Sequence, residues 1–209
     1  MGTICMPAVA QARRLSAEEF CRLVRREASS IYCPRSEVLR MLALGEAWGT
    51  LDPEGEAEGA VLVLPLGADL RAAAALRALM RRKSAGQGAL LTPPVGRAGA
   101  LPFLLEAGLA RAERCSRGGP VWAVLEGTPE AEELVPLYLE KGLVLRAIRP
   151  LNSLAPCWLF EFAPGQSRED PVWVPLEDHA RLAVLFSRGR AALDSRPGPA
   201  GTELAFCPV

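Results

Sequence analysis

The run Ala60-Val61-Leu62-Val63-Leu64-Pro65-Leu66 constrains the fold most, because seven successive residues without a charge, rich in Val and Leu, read as a strand buried on both faces. Such a strand needs other elements to cover it. The sequence supplies segments of matching type, since further strand-like runs at 46–51, 89–92, 121–125, 143–148 and 158–162 alternate with helical patterns. The expected class is therefore α/β or α+β, with a mixed sheet flanked by helices.

Local signals place the elements. Residues 1–14 read as an N-terminal arm. Ser16-Ala17-Glu18-Glu19 has the capping-box pattern, and Phe20, Leu23 and Val24 continue it at helical spacing to about Glu27. A second short helix is expected over 36–44. The strand at 46–51, the turn Asp52-Pro53-Glu54-Gly55 and the run at 60–66 make a hairpin. Asp69 caps a helix to about Lys83, which stops in Ser84–Gly88. Pro93-Pro94 end the strand at 89–92. The loop Val95-Gly96-Arg97-Ala98-Gly99 then leads into a helix from about Leu101 to Arg114, with Pro102 in its first turn. After the strand at 121–125, a helix over 129–141 ends at Gly142. The strands at 143–148 and 158–162 pair through a loop at 150–155. Beyond them the pattern gives a linker (164–170), a short strand (172–174), a helix (179–188), a Pro/Gly-rich turn (194–201) and a last strand (203–206). The domain reading is a main domain over 1–163 and an appendage over 164–209 packed on it.

Composition narrows the partners. The 209 residues carry 24 basic and 24 acidic side chains in a well-mixed order, so no global field draws the chain to nucleic acid or to an anionic membrane. No apolar run approaches the roughly 20 residues of a membrane-spanning helix. The six cysteines form no C-x-x-C pair and His179 is the one histidine, so no metal site is expected. Free thiols in a cytoplasmic protein are the simplest reading. Of the basic side chains only Lys83 and Lys141 are lysines, a bias that points to a GC-rich coding sequence.

Two constellations bear on chemistry. At 93–99 a strand gives way to a glycine-bearing loop and a helix. Unpaired N–H groups at a helix start can cradle a pyrophosphate, with Arg97 adding a positive side chain. An ordinary strand-to-helix turn has the same outline. At Leu137-Tyr138-Leu139-Glu140-Lys141-Gly142-Leu143, a tyrosine near a helix end can serve as a proton donor in a cleft or fill a helix–sheet contact. The segment 83–88 lacks the spacing of a phosphate loop, and His179 has no nucleophile elbow to serve.

Together these two segments resemble the GNAT acyltransferase family. Pro94-Val95-Gly96-Arg97-Ala98-Gly99-Ala100 matches the P-x-x-R part of that family's cofactor loop, with Ala98 where its next glycine stands. Leu137-Tyr138 followed by Gly142-Leu143 matches its tyrosine motif; that motif's asparagine falls on Ala131, or is replaced by Thr128 with a helical turn inserted. The resemblance spans residues 16–163 and implies a GNAT-like mixed, mostly antiparallel sheet. It implies acetyl-CoA or another acyl-CoA as co-substrate, held at Leu91, Thr92, Val95, Gly96, Arg97, Ala98, Gly99 and Ala100. The pantetheine arm would lie in a gap between the cofactor strand and the next one. The acceptor would be an amine of a small molecule or peptide. Tyr138 would be the acid toward the leaving sulfur, and Glu126 the base, with Glu46 as an alternative. A homodimer is compatible with it. A binding protein of this fold without transferase activity, and an assembly subunit, are the alternative readings.

Overall fold

In the computed structural model, the described residues are 12–27, 35–80, 87–150, 156–199 and 201–209. The expected N-terminal arm up to residue 11, the helix stop around 83–86 and the loop at 151–155 lie outside them.

In chain order the elements are β1 (Arg13–Arg14), α1 (Ala17–Glu27), α2 (Arg35–Leu44), β2 (Glu46–Leu51), β3 (Ala57–Pro65), α3 (Leu70–Met80), β4 (Ala89–Leu91) and β5 (Val95–Gly96). A single 3-10 turn (Ala98–Ala100) then leads into α4 (Leu101–Ser116), β6 (Val121–Glu126), α5 (Pro129–Glu132) and α6 (Val135–Glu140). The chain ends with β7 (Leu143–Pro150), β8 (Pro156–Phe162), β9 (Val172–Pro175), α7 (His179–Ser187), β10 (Arg190–Gly198) and β11 (Gly201–Pro208).

The strands form one sheet in the order β1-β2-β3-β4-β6-β8-β7-β10-β11-β9, with β5 pairing on β3. Every pair is antiparallel except β4 with β6. This is the mixed sheet with flanking helices that the alternation implied, and it is mostly antiparallel, as the GNAT resemblance implied.

The central strands are buried on both faces, as the 60–66 run required. Val61, Val63, Leu91, Ala123, Leu125, Trp158 and Phe160 face a core closed by α4, α6 and α7. Alternate residues of β3, Ala60, Leu62 and Leu64, meet α1 and α2 on the opposite face. Farther along that opposite face, Leu66, Ala73 and Leu76 of the α3 segment cover Trp122, Ala147, Cys157 and Leu159.

The local caps form as expected. Ser16 Oγ accepts from the Glu19 amide at 3.2 Å, and Glu19 Oε2 accepts from the Ser16 amide at 2.7 Å. Asp69, 1% exposed, accepts from the amides of Arg71 and Ala72 and from Arg40 at 2.6 Å. Gly142 adopts φ +84° after α6, the left-handed stop that favours glycine.

Two expectations need correction. The helix expected over 129–141 divides into α5 and α6. Pro136, in the first turn of α6, has no N–H to continue a ladder from α5. The Pro/Gly-rich stretch 194–201, read as a turn, instead lies mostly within β10. It pairs with β11 from Arg190↔Pro208 to Gly198↔Gly201, so the partner strand overrides the local turn signal.

The Glu19 cap gives a pH prediction. The Arg13 guanidinium, aided by the Ser16 amide and hydroxyl, holds the Glu19 carboxyl down from the ordinary 4.5 to about 2. A lowered acid favours the folded state above its ordinary value, and that contribution fades as pH falls from about 4.5 to about 2. Thermal melts across this window should show a smaller acid-induced fall in Tm for Glu19→Gln than for the unmodified chain.

Candidate functional site

Among the described residues, β4 and β6 form the only parallel pair of the sheet. β4 and β6 are in register from Ala89↔Val121 to Leu91↔Ala123. Beyond that, β6 continues to Glu126, while the other chain turns away. Pro93 and Pro94 have no N–H with which to extend a ladder. The chain binds β3 instead: the Thr92 amide donates to Leu62 O at 2.9 Å, and the Leu62 amide donates to Thr92 Oγ1 at 3.1 Å. Val95 and Gly96 then bridge to Ala60 and Gly59. Pairing of β4 with β6 therefore stops at Leu91 and Ala123, while β6 runs on to Glu126.

The loop after β4 has two glycines with different surroundings. Gly96 has φ +137°, and a Cβ there would lie 2.4 Å from Gly59 Cα and 2.5 Å from Glu58 O. Its missing side chain permits the bridge to β3. Gly99 has nothing within 4 Å of such a Cβ, so it leaves open space in front of α4. No side chain caps the start of the 3-10 turn or of α4. Arg97 is exposed and its amide donates to Glu58 O at 3.3 Å, which fixes the loop against β3. Val95 and Ala100 are buried, and Ala98 and Gly99 are exposed.

Tyr138 is wholly buried on the face closed by α4 and α6, its ring 5.1 Å from that of Phe160. Its hydroxyl has no hydrogen-bond partner, and the same holds for the indole N–H of Trp158 in the same core cluster. Burial pushes the Tyr138 hydroxyl to a higher pKa, so it stays protonated at neutral pH.

Glu126 is exposed at the end of β6. It is in register with Cys157, and its alternation with Trp122 and Val124 puts its side chain on the face opposite Tyr138. Glu46 has a different environment. Arg111 grips both its oxygens at 2.7 and 2.8 Å, the Trp48 indole N–H donates to it at 3.3 Å, and the Arg111 hydrogen bonds lower its pKa. A carboxylate so fully engaged is a weak proton acceptor, which leaves Glu126 as the freer group. Thr128 caps α5, its Oγ1 accepting from the Ala131 amide at 3.3 Å. His179 is exposed at the start of α7.

Among the described residues the mixed sheet has one parallel pair, which stops short beside an uncapped helix start; the GNAT acetyltransferases share this architecture, and the chain has that fold. No protein-family model matches the sequence, and no curated protein matches it. Solved structures do. The chain is similar to Ard1 from Thermoplasma volcanium at 11% identity and a TM-score of 0.53, over 76% of this chain and 100% of that one. It is similar to Arabidopsis thaliana NAA60 in complex with acetyl-CoA at 13% identity and a TM-score of 0.50, over 74% and 98%. It is similar to the spermidine N-acetyltransferase SpeG from Vibrio cholerae at 10% identity and a TM-score of 0.51, over 73% and 94%.

Among the described residues, no helix is long and apolar enough to cross a membrane. Cys21, Cys115 and Cys207 are free thiols.

The sequence missed a further set of groups on the Glu126 face. Arg146, Arg149 and Arg190 line one groove with Trp122. Nothing in their spacing brings the three arginines together, because β7 and β10 lie more than 40 residues apart along the chain.

Proposed function

We propose that the chain transfers an acyl group from acetyl-CoA, or another acyl-CoA, to an amine of a small molecule or peptide. The observation that carries this reading is that β4 leaves its parallel partner β6 after Leu91↔Ala123, while β6 runs on to Glu126. The pantetheine arm fits there as a strand substitute, using backbone groups near Leu91 and Thr92. The start of α4, with Gly99 open in front of it, faces the pyrophosphate, and Arg97 adds its charge.

The reacting groups divide between the two faces of the sheet. The amine nitrogen attacks the thioester carbonyl, the N–C bond forms and the C–S bond breaks. Glu126 takes the proton that the amine loses, and the Tyr138 hydroxyl gives one to the departing thiolate. The unpaired, buried hydroxyl of Tyr138 suits this role, because a buried donor without an acceptor is costly unless a ligand supplies one. Holding both reactants in one site supplies much of the rate.

Thermal melting with acetyl-CoA tests the reading. At 100 times its dissociation constant the ligand should add roughly 2.7 kcal/mol to stability. Arg97→Ala should weaken binding by about tenfold or more, the loss expected for one charge-assisted contact. His179→Ala should not. No shift with millimolar acetyl-CoA or with free coenzyme A would remove the acyl-CoA reading.

A further inference from the structure

We infer that the acceptor carries an anionic group, a carboxylate or a phosphate, seated in the groove lined by Trp122, Arg146, Arg149 and Arg190; this rests on the acyl-transfer reading above. β7 and β10 meet at a single pair, Ala192↔Leu145. Both are irregular there: β10 shifts register between Ala192 and Asp194, and β7 between Leu145 and Ala147. Bulges of this kind bend a strand and end its pairing. The groove, of about 450 Å³, lies over this part of the sheet, lined by Trp122 of β6, Leu159 and Glu161 of β8, Arg146 and Arg149 of β7 and Arg190 of β10, among others.

Three arginines and an indole N–H line the groove, against one carboxylate side chain, Glu161. That carboxylate is already held by Arg146 at 2.7 Å. Arg190 donates to the carbonyl oxygens of Asp170 and Phe206 at 3.2 and 3.1 Å, and the Asp170 carboxylate 3.6 Å away is 88% exposed. Two donors are left over. Arg149 Nε is buried without a hydrogen-bond partner, and so is the indole N–H of Trp122, a residue 5% exposed. Neither side chain can accept a hydrogen bond, so they cannot satisfy each other. Buried N–H groups left unpaired disfavour the folded state, and cations not matched by carboxylates repel a cationic ligand. An oxygen-rich anion answers both.

The groove lies within reach of Glu126. Arg149 is in register with Cys157, and Cys157 with Glu126. Two strand spacings of about 4.8 Å therefore put the Arg149 and Glu126 backbones roughly 10 Å apart on one face. An amine at Glu126 and an anionic group at Arg149 fit the two ends of a small metabolite or a short peptide.

The test uses the full chain labelled with ¹⁵N, with sodium glutarate and inorganic phosphate as probes and with coenzyme A present or absent. The Trp122 indole signal is identified by its loss in Trp122→Phe. It should move and saturate with one or both anions, and the more effective probe identifies the anion class. Arg149→Gln should weaken that binding by about 10- to 100-fold, Arg149→Lys much less, and coenzyme A affinity should stay unchanged in both. With acetyl-CoA, kcat/KM for L-glutamate and O-phosphoserine should fall similarly in Arg149→Gln, while that for an uncharged amine should not. A Trp122 signal indifferent to both anions, or equally responsive in Arg149→Gln, overturns the assignment. Turnover of uncharged amines alone, with anionic ones refused, also overturns it. Anion binding intact with no amine acetylated overturns the acyl-transfer reading and leaves the groove as an anion site.

Discussion

Tyr138→Phe should lower turnover by roughly 100-fold or more and leave the affinity for acetyl-CoA nearly unchanged, because the ring stays and only the proton donor goes. Its effect on stability should be slight or favourable. The hydroxyl is wholly buried and donates to no protein group, so its removal breaks no bond and relieves an unsatisfied polar atom, worth about 1 kcal/mol. A tyrosine that merely fills the helix–sheet contact with Phe160 would give the same stability and full turnover. Measuring melting, coenzyme A binding and acetylation on one preparation separates these roles, and unchanged turnover removes Tyr138 from the chemistry.

Gly96→Ala and Gly99→Ala should part sharply, although both sit in the same loop. At Gly96 the positive φ and the approach of Gly59 Cα to 2.4 Å leave no room for a methyl group, and the obstacle is backbone. The substitution should cost several kcal/mol, on the order of 2–4, and lower Tm by many degrees as β5 leaves β3. At Gly99 the space is open, so alanine should change stability by less than about 1 kcal/mol, with a small gain from helix propensity. Its effect should appear in coenzyme A binding, where a methyl group faces the approaching phosphates. Equal melting temperatures for the two variants would mean that the bridge between Val95–Gly96 and β3 does not hold the loop.

The element order was legible because its signals are local. A capping box needs only Ser16 and Glu19, a helix cap only Asp69 and the amides that follow, and a stop only Gly142. The double burial of β3 followed from seven adjacent residues. From this alternation the class of fold was readable, and from Pro94–Ala100 and Leu137–Leu143 the likeness to GNAT enzymes. The candidate site residues were legible as types, but their surroundings were not. Nothing adjacent in sequence says that the Glu46 carboxylate is gripped by Arg111, 65 positions away, or that Glu126 stands free.

The sequence by itself determined most of the helices and strands and which residues could carry chemistry, since propensity, capping and periodicity act over a few residues. The tertiary structure alone decided what those residues meet. It set the glycine of Gly96 against Gly59 and turned the Pro/Gly-rich stretch at 194–201 into most of a strand by giving it β11 as a partner. It also gathered Arg146, Arg149, Arg190 and Trp122 around one groove. Contacts of this kind join residues tens of positions apart, and hydrogen bonds, burial and steric fit depend on distance in space, which the order of residues along the chain does not contain.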